Sequence, residues 1–150
     1  MTQESVPAPV PDVPAPISSA RLKKIFEREG LIYFVDSEGD IGGFWGDATF
    51  HFLLFQGDAG EVLAIISRYP GSIDMSQLAV VRRTLDESML ARPWPNAQYR
   101  IDDVGRIRVH ISNTIDYEYG ATDAQLLQHL RCAIATANML YSSLDEALGR

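Results

Sequence analysis

His129 and Cys132 stand three residues apart in a run that reads as helix, a spacing that sets an imidazole beside a thiol as a base would stand beside its nucleophile. No acid is placed to orient the histidine, and a packed thiol is the simpler reading. Asp36, Glu38 and Asp40 alternate as the first ligands of a calcium loop do, but the later oxygen ligands and the closing glutamate are missing. Gly39, Gly42, Gly43 and Gly46 lack the spacing of a nucleotide loop and lead into a strand, where phosphate binding wants a helix N-terminus; they read as turn glycines. His51 and His110 fall on different strands, with no cysteine or carboxylate pattern around either that suggests zinc. The expectation is a protein without metal or cofactor, and not an enzyme.

The remaining chemistry is recognition. Arg100, Arg106, Arg108 and His110 share one face of a hairpin whose other face is apolar, a concentration of basic groups that could hold an acidic peptide or an anionic small ligand. Solvent exposure, with pairing to neighbours such as Asp102 or Asp116, is the plainer reading. Trp94, between two prolines that hold the backbone extended, is either a plug at a helix-to-strand junction, the simpler case, or an exposed anchor; Trp45 is a second candidate contact.

The elements that position these residues follow from periodicity. Five of the eight prolines fall within residues 1–17, which therefore read as a disordered or polyproline-like tail ahead of a domain over 18–150. Ser18 or Ser19 starts a short helix with Leu22, Ile25 and Phe26 on one face and Arg21, Lys24 and Arg28 on a solvated one, closed by Gly30. A meander follows: Leu31 to Val35, Ile41 to Trp45, Ala48 to Phe55 and Glu61 to Arg68, with a turn at Gln56 to Gly60. Asp74 with Gln77 resembles a capping box opening a helix over about Met75 to Ala91. The hairpin comes next, and the sequence T-D-A-Q at Thr122 opens a long helix reaching about Leu148, with a stripe of Leu127, Leu130, Ile134, Ala137, Tyr141, Leu144 and Leu148. The class is α+β, in the order α-β-β-β(-β)-α-β-β-α, an antiparallel meander sheet with helices packed on it.

Two features ask for a partner. In the third strand Phe50, Phe52 and Leu54 alternate with His51, Leu53 and Phe55, so both faces are largely apolar and both must be covered, by the chain's own helices or by another subunit. The last helix is apolar or small nearly all round, with Cys132 and Met139 off the main stripe. His51, Leu53, Phe55, Cys132 and Met139 are thus expected on a dimer or partner-covered surface.

The 13 basic and 20 acidic residues give a net charge of −7, which repels nucleic acid and anionic lipid over most of the surface. The lone Cys132 fits a reducing compartment, and the first guess is cytoplasm. No apolar run reaches bilayer length and the N-terminus lacks a signal-peptide pattern, so neither membrane anchoring nor export by that route is expected.

The runs YFVDSEGDIGGFWGDATFHFLL, RPWPNAQYRIDDVGRIRVHIS and GATDAQLLQHLRCAIATANMLYSSLDEAL resemble the YbjN domain family of bacteria, particularly its actinobacterial members. The specific parts are the aspartate and glycine turn at Asp36 to Gly43 with Trp45, the pair Trp94 and Pro95, and the T-D-A-Q-L helix start. The family is described as sensory transduction regulators, and its fold resembles that of the type III secretion chaperones, small acidic homodimers that bind client peptides. The resemblance implies that fold, a homodimer and a habit of binding a protein or peptide client, and transfers no catalytic residue.

Overall fold

A computed structural model of the 150-residue chain describes residues 6–8, 10–57 and 60–150. The first helix, α1 (Ser19–Arg28), starts where the Ser18 hydroxyl accepts the amide of Arg21 and buries Leu22, Ile25 and Phe26. It ends at Gly30, beyond which the Leu31 amide bonds back to the Phe26 carbonyl. Leu31 to Tyr33 do not join a strand, as the alternation had suggested; only β1 (Phe34–Val35) pairs.

Five longer strands follow: β2 (Ile41–Trp45), β3 (Ala48–Gly57), β4 (Gly60–Arg68), β5 (Asn96–Ile101) and β6 (Ile107–Asp116). The sheet is antiparallel throughout, in the order β1-β2-β3-β4-β6-β5. The expected Gln56 to Gly60 turn is narrower, since Gln56, Gly57 and Gly60 pair within the strands, and its tip lies outside the described residues.

Two further helices, α2 (Leu78–Ala91) and α3 (Asp123–Leu148), complete the chain. One 3-10 turn at Met75–Gln77 precedes α2, and Asp74 caps it through the amide of Ser76. The expected capping box does not close, because the Gln77 side chain reaches instead to the Leu148 carbonyl at 3.5 Å. At Thr122 the box does close: its hydroxyl accepts from Gln125 N–H at 3.1 Å, and the Gln125 side chain accepts from Thr122 N–H at 2.9 Å.

All three helices cover one face of the sheet. Phe26 of α1 meets Phe52 edge-on at 5.0 Å between ring centres, Tyr141 of α3 donates to Ser67, and α2 lies beside β5 and α3. Leu63 and Ile65 of β4, Val109 and Ile111 of β6, and Phe50 and Phe52 of β3 supply the sheet side of this core. The buried stripe of α3 is turned from the expected one: Leu126, Leu130, Ala133, Ala137, Leu140, Tyr141 and Leu144 face inward, while Leu127, Ile134 and Leu148 pack at its margin. The long apolar run allowed either rotation, and docking on the sheet selected this one.

The end of the proline-rich segment belongs to the fold, against the expectation of a disordered tail through residue 17; residues 1–5 and 9 lie outside the described residues. Ile17 is buried, and Ala15 exchanges two backbone bonds with Ala121. The Asp12 carboxylate accepts the free amides of Asp123 and Ala124 at the start of α3. Arg21, expected on a solvated face, is spent on this strap. Its guanidinium donates to the carbonyls of Ala15, Pro16 and Ala121 and pairs with Asp123 at 2.6 Å.

Gly120 is the residue that lets the strap lie flat. Its φ is +80°, and a Cβ there would stand 2.8 Å from the Ala15 carbonyl. Gly120→Ala is expected to destabilise the fold by more than about 1 kcal/mol. Limited proteolysis should cut the Asp12 to Pro16 segment faster in this variant, and an unchanged cleavage rate and stability would show that the strap does not depend on Gly120.

Candidate functional surface

Strand alternation sends Phe34, Phe44, His51, Leu53, Phe55, Val62, Ala64 and Ile66 to the face away from the helices. Among the described residues no helix crosses this face. Phe44 is 66% exposed and Phe55 54% exposed, while Leu53, Val62 and Ile66 are half-buried by their neighbours. The expected apolar second face is therefore present and uncovered.

Gly42 and Gly43, read as turn glycines, lie inside β2 and serve opposite faces. A Cβ on Gly42 would fall 2.4 Å from the Phe34 ring on the open side; one on Gly43 would fall 2.3 Å from Trp45 on the helix side. Phe34 thus lies flat across the sheet edge, 5.4 Å from Phe44 and edge-on to His51 at 6.0 Å. Trp45 is committed to the core, packed against Phe26, Phe50 and Phe52.

The basic hairpin face lies on the same open side, but the structure divides its members. Arg106 turns away to donate to the Ser72 hydroxyl at 2.5 Å and stands 3.7 Å from Asp74. Arg100, Arg108 and His110 stay together and line a depression of about 780 Å3, which Arg68 of β4 joins. Arg68 went unnoticed in the sequence because nothing local marks β4 as the neighbour of β6. Register places it opposite His110.

Asp102 organises the corner. Its carboxylate accepts the amides of Val104 and Arg106 and pairs with Arg108 at 2.9 Å, contacts that hold its pKa below the ordinary value. His110 is held low by burial, and then by Arg100 and Arg68; its ring meets the Gln98 carboxamide at 3.1 Å.

The other residues considered for chemistry go elsewhere. Asp36 spends its carboxylate on the amides of Glu38 and Asp40, closing the turn that the acidic spacing had marked. Cys132 is half-buried and accepts from the Gln128 side chain at 3.2 Å.

His129 is 2% exposed and faces inward. Its Nε2 lies 2.7 Å from the Asn113 carboxamide oxygen and its Nδ1 3.1 Å from the Tyr117 hydroxyl. The carboxamide oxygen can only accept, so Nε2 carries the proton and Nδ1 accepts from tyrosine. Burial pushes His129 down to about 4 and Tyr117 up to about 12.

Trp94 is half-buried at the helix-to-strand junction and packs against His129, the rings tilted at 31° with centres 5.7 Å apart. The expected partner surface is split as well. His51, Leu53 and Phe55 lie on the open face, whereas Cys132 and Met139 ride on α3, in the layer behind the sheet.

The YbjN family model, described as "Putative bacterial sensory transduction regulator", matches residues 18–146. The chain belongs to the YbjN family. The crystal structure of E. coli YbjN, titled a "putative transcription regulator", superposes with a TM-score of 0.65 at 12% identity, covering 86% of this chain and 92% of that one. A YbjN α+β fold is thus shared at very low identity. The HopA1–SchA chaperone–effector complex contains a chain that aligns with a TM-score of 0.47 and 16% identity, over 87% of this chain and 99% of that one. No curated protein matches. In this YbjN chain no helix of the described residues is long and apolar enough to cross a membrane.

Proposed function

We propose that this protein is a non-enzymatic, protein-binding regulatory module of the bacterial cytoplasm that works as a homodimer. The observation that carries the reading is the uncovered apolar half of the sheet, where Phe44 and Phe55 stand more than half exposed beside Phe34 and Leu53. At ~25 cal/mol per Å2, covering several such side chains is worth several kcal/mol, comparable with the net stability of a whole domain. Such a face favours association over solvation. Membership of a family described as a sensory transduction regulator supports a regulatory role.

Light scattering on the purified chain at tens of micromolar tests the assembly. A dimer is expected, and the double substitution Phe44→Asp with Phe55→Asp should convert it to a folded monomer, because both side chains are exposed and outside the core. A strict monomer in the unsubstituted chain, or a dimer indifferent to the double substitution, would overturn the assignment of this face.

A further inference from the structure

The open face is not uniform, and its basic corner is unbalanced. Register sets Arg100 directly opposite Arg108, a like-charge pair that costs stability in a sheet. Asp102 compensates Arg108. Among the described residues, neither Arg68 nor Arg100 has a carboxylate partner. Both are exposed, in a chain whose net charge is −7. The depression they line has Ile66 in its wall and the Asp102 to Val104 turn at its rim. From there β4 carries Ile66, Ala64 and Val62 along the same face, at the alternate spacing an extended segment presents.

We propose that this corner, Arg68, Arg100 and Arg108, receives the carboxylates of an extended acidic segment of a partner protein, whose apolar side chains lie along Ile66, Ala64 and Val62. The inference rests on the protein-binding reading above and adds the chemistry of the client. Guanidinium forks match carboxylates in geometry and charge. His110, kept neutral by its surroundings, leaves the arginines to carry the positive potential.

A second copy of this chain is a poor occupant of the corner. Among the described strand residues of its own open face, Asp116 is the one carboxylate it could offer to three arginines. The dimer therefore belongs on the β2–β3 side and the acidic client on the β4–β6–β5 side.

Fluorescence anisotropy on the full chain tests this, with a labelled extended peptide whose alternate, same-face positions carry glutamate in one half and leucine in the other, and its glutamine-for-glutamate counterpart. The acidic peptide is expected to bind and the neutral one to bind at least about tenfold more weakly, the loss expected for charge-assisted hydrogen bonds. Arg68→Gln with Arg100→Gln should weaken the acidic peptide to the level of the neutral one. Equal binding of the two peptides, no binding of either, or an unaffected variant would overturn the proposal.

Inorganic phosphate, added against chloride at matched ionic strength, separates the sources of anionic chemistry. Binding of phosphate at this corner while the acidic peptide fails to bind would make this a small-anion site and overturn the peptide assignment. Light scattering on the same samples keeps the two readings apart. An intact dimer that ignores the acidic peptide removes the client site alone; a monomer that still binds it removes the dimer alone.

Discussion

Stability measured by urea denaturation is expected to fall by about 2 to 3 kcal/mol as the pH drops from 6.5 towards 4, with His129 as the main cause. The imidazole is neutral in the folded protein because burial penalises its charged form, and its pKa lies near 4 against 6.5 in the unfolded chain. Above pH 6.5 neither state holds the proton and the contribution is complete; below it the unfolded chain binds a proton that the native one refuses, until the native imidazole titrates near 4.

The surroundings cannot relieve this cheaply. Asn113 offers Nε2 an acceptor, but Nδ1 faces the Tyr117 hydroxyl, and the Trp94 ring lies over the imidazole. His110 contributes in the same direction, to a lesser degree because it is half-exposed; the depressed carboxylates Asp102 and Asp123 act at lower pH. His129→Gln, which retains hydrogen-bonding groups without a titrating ring, should flatten most of the dependence. An NMR titration placing the His129 pKa near its ordinary 6.5 would refute the account.

Phe26→Ala is expected to cost about 3 to 5 kcal/mol, the range for truncating a fully buried aromatic. The Phe26 side chain has no solvent exposure and touches three rings: Tyr33 at 5.6 Å, Trp45 at 6.0 Å and Phe52 at 5.0 Å between centres. Its loss opens a cavity between α1 and the sheet that these rigid neighbours fill poorly. Equilibrium denaturation measures the cost, and the near-ultraviolet circular dichroism of Trp45 should weaken with it. A loss below about 1 kcal/mol would mean that the site collapses around the alanine.

Phe44→Ala, measured at a dilution where the chain is monomeric, should change stability by no more than about 0.5 kcal/mol. The two phenylalanines look equivalent in the sequence; the layer over each makes the difference.

Much of the architecture was legible because local chemistry specifies it. Period-two alternation and glycine turns located β2 to β4 to within a residue or two, and the Thr122 and Gln125 box placed the start of α3. Where local patterns were degenerate the reading slipped. A helix apolar on most sides has no unique inward stripe, so α3 is rotated from the expected one. Gly42 and Gly43 look like turn residues until Phe34 and Trp45 are seen lying over them. Arg21 reads as surface because its acceptors, the carbonyls of Ala15, Pro16 and Ala121, are backbone groups that no pattern announces.

The amino-acid sequence by itself determined the class of this fold, the order of its elements and the fact that both faces of β3 are apolar, since each follows from side-chain period and turn chemistry over a few neighbouring residues. Only the tertiary structure decided which face the helices take. It also decided that β4 pairs with β6 and so brings a fourth basic residue, Arg68, to Arg100, Arg108 and His110, while Arg106 leaves them. The physical reason is that strand order and layer choice are set by contacts distant along the chain. Burial of Phe26, Phe52 and the inward stripe of α3 selects one arrangement among several that share the same local pattern.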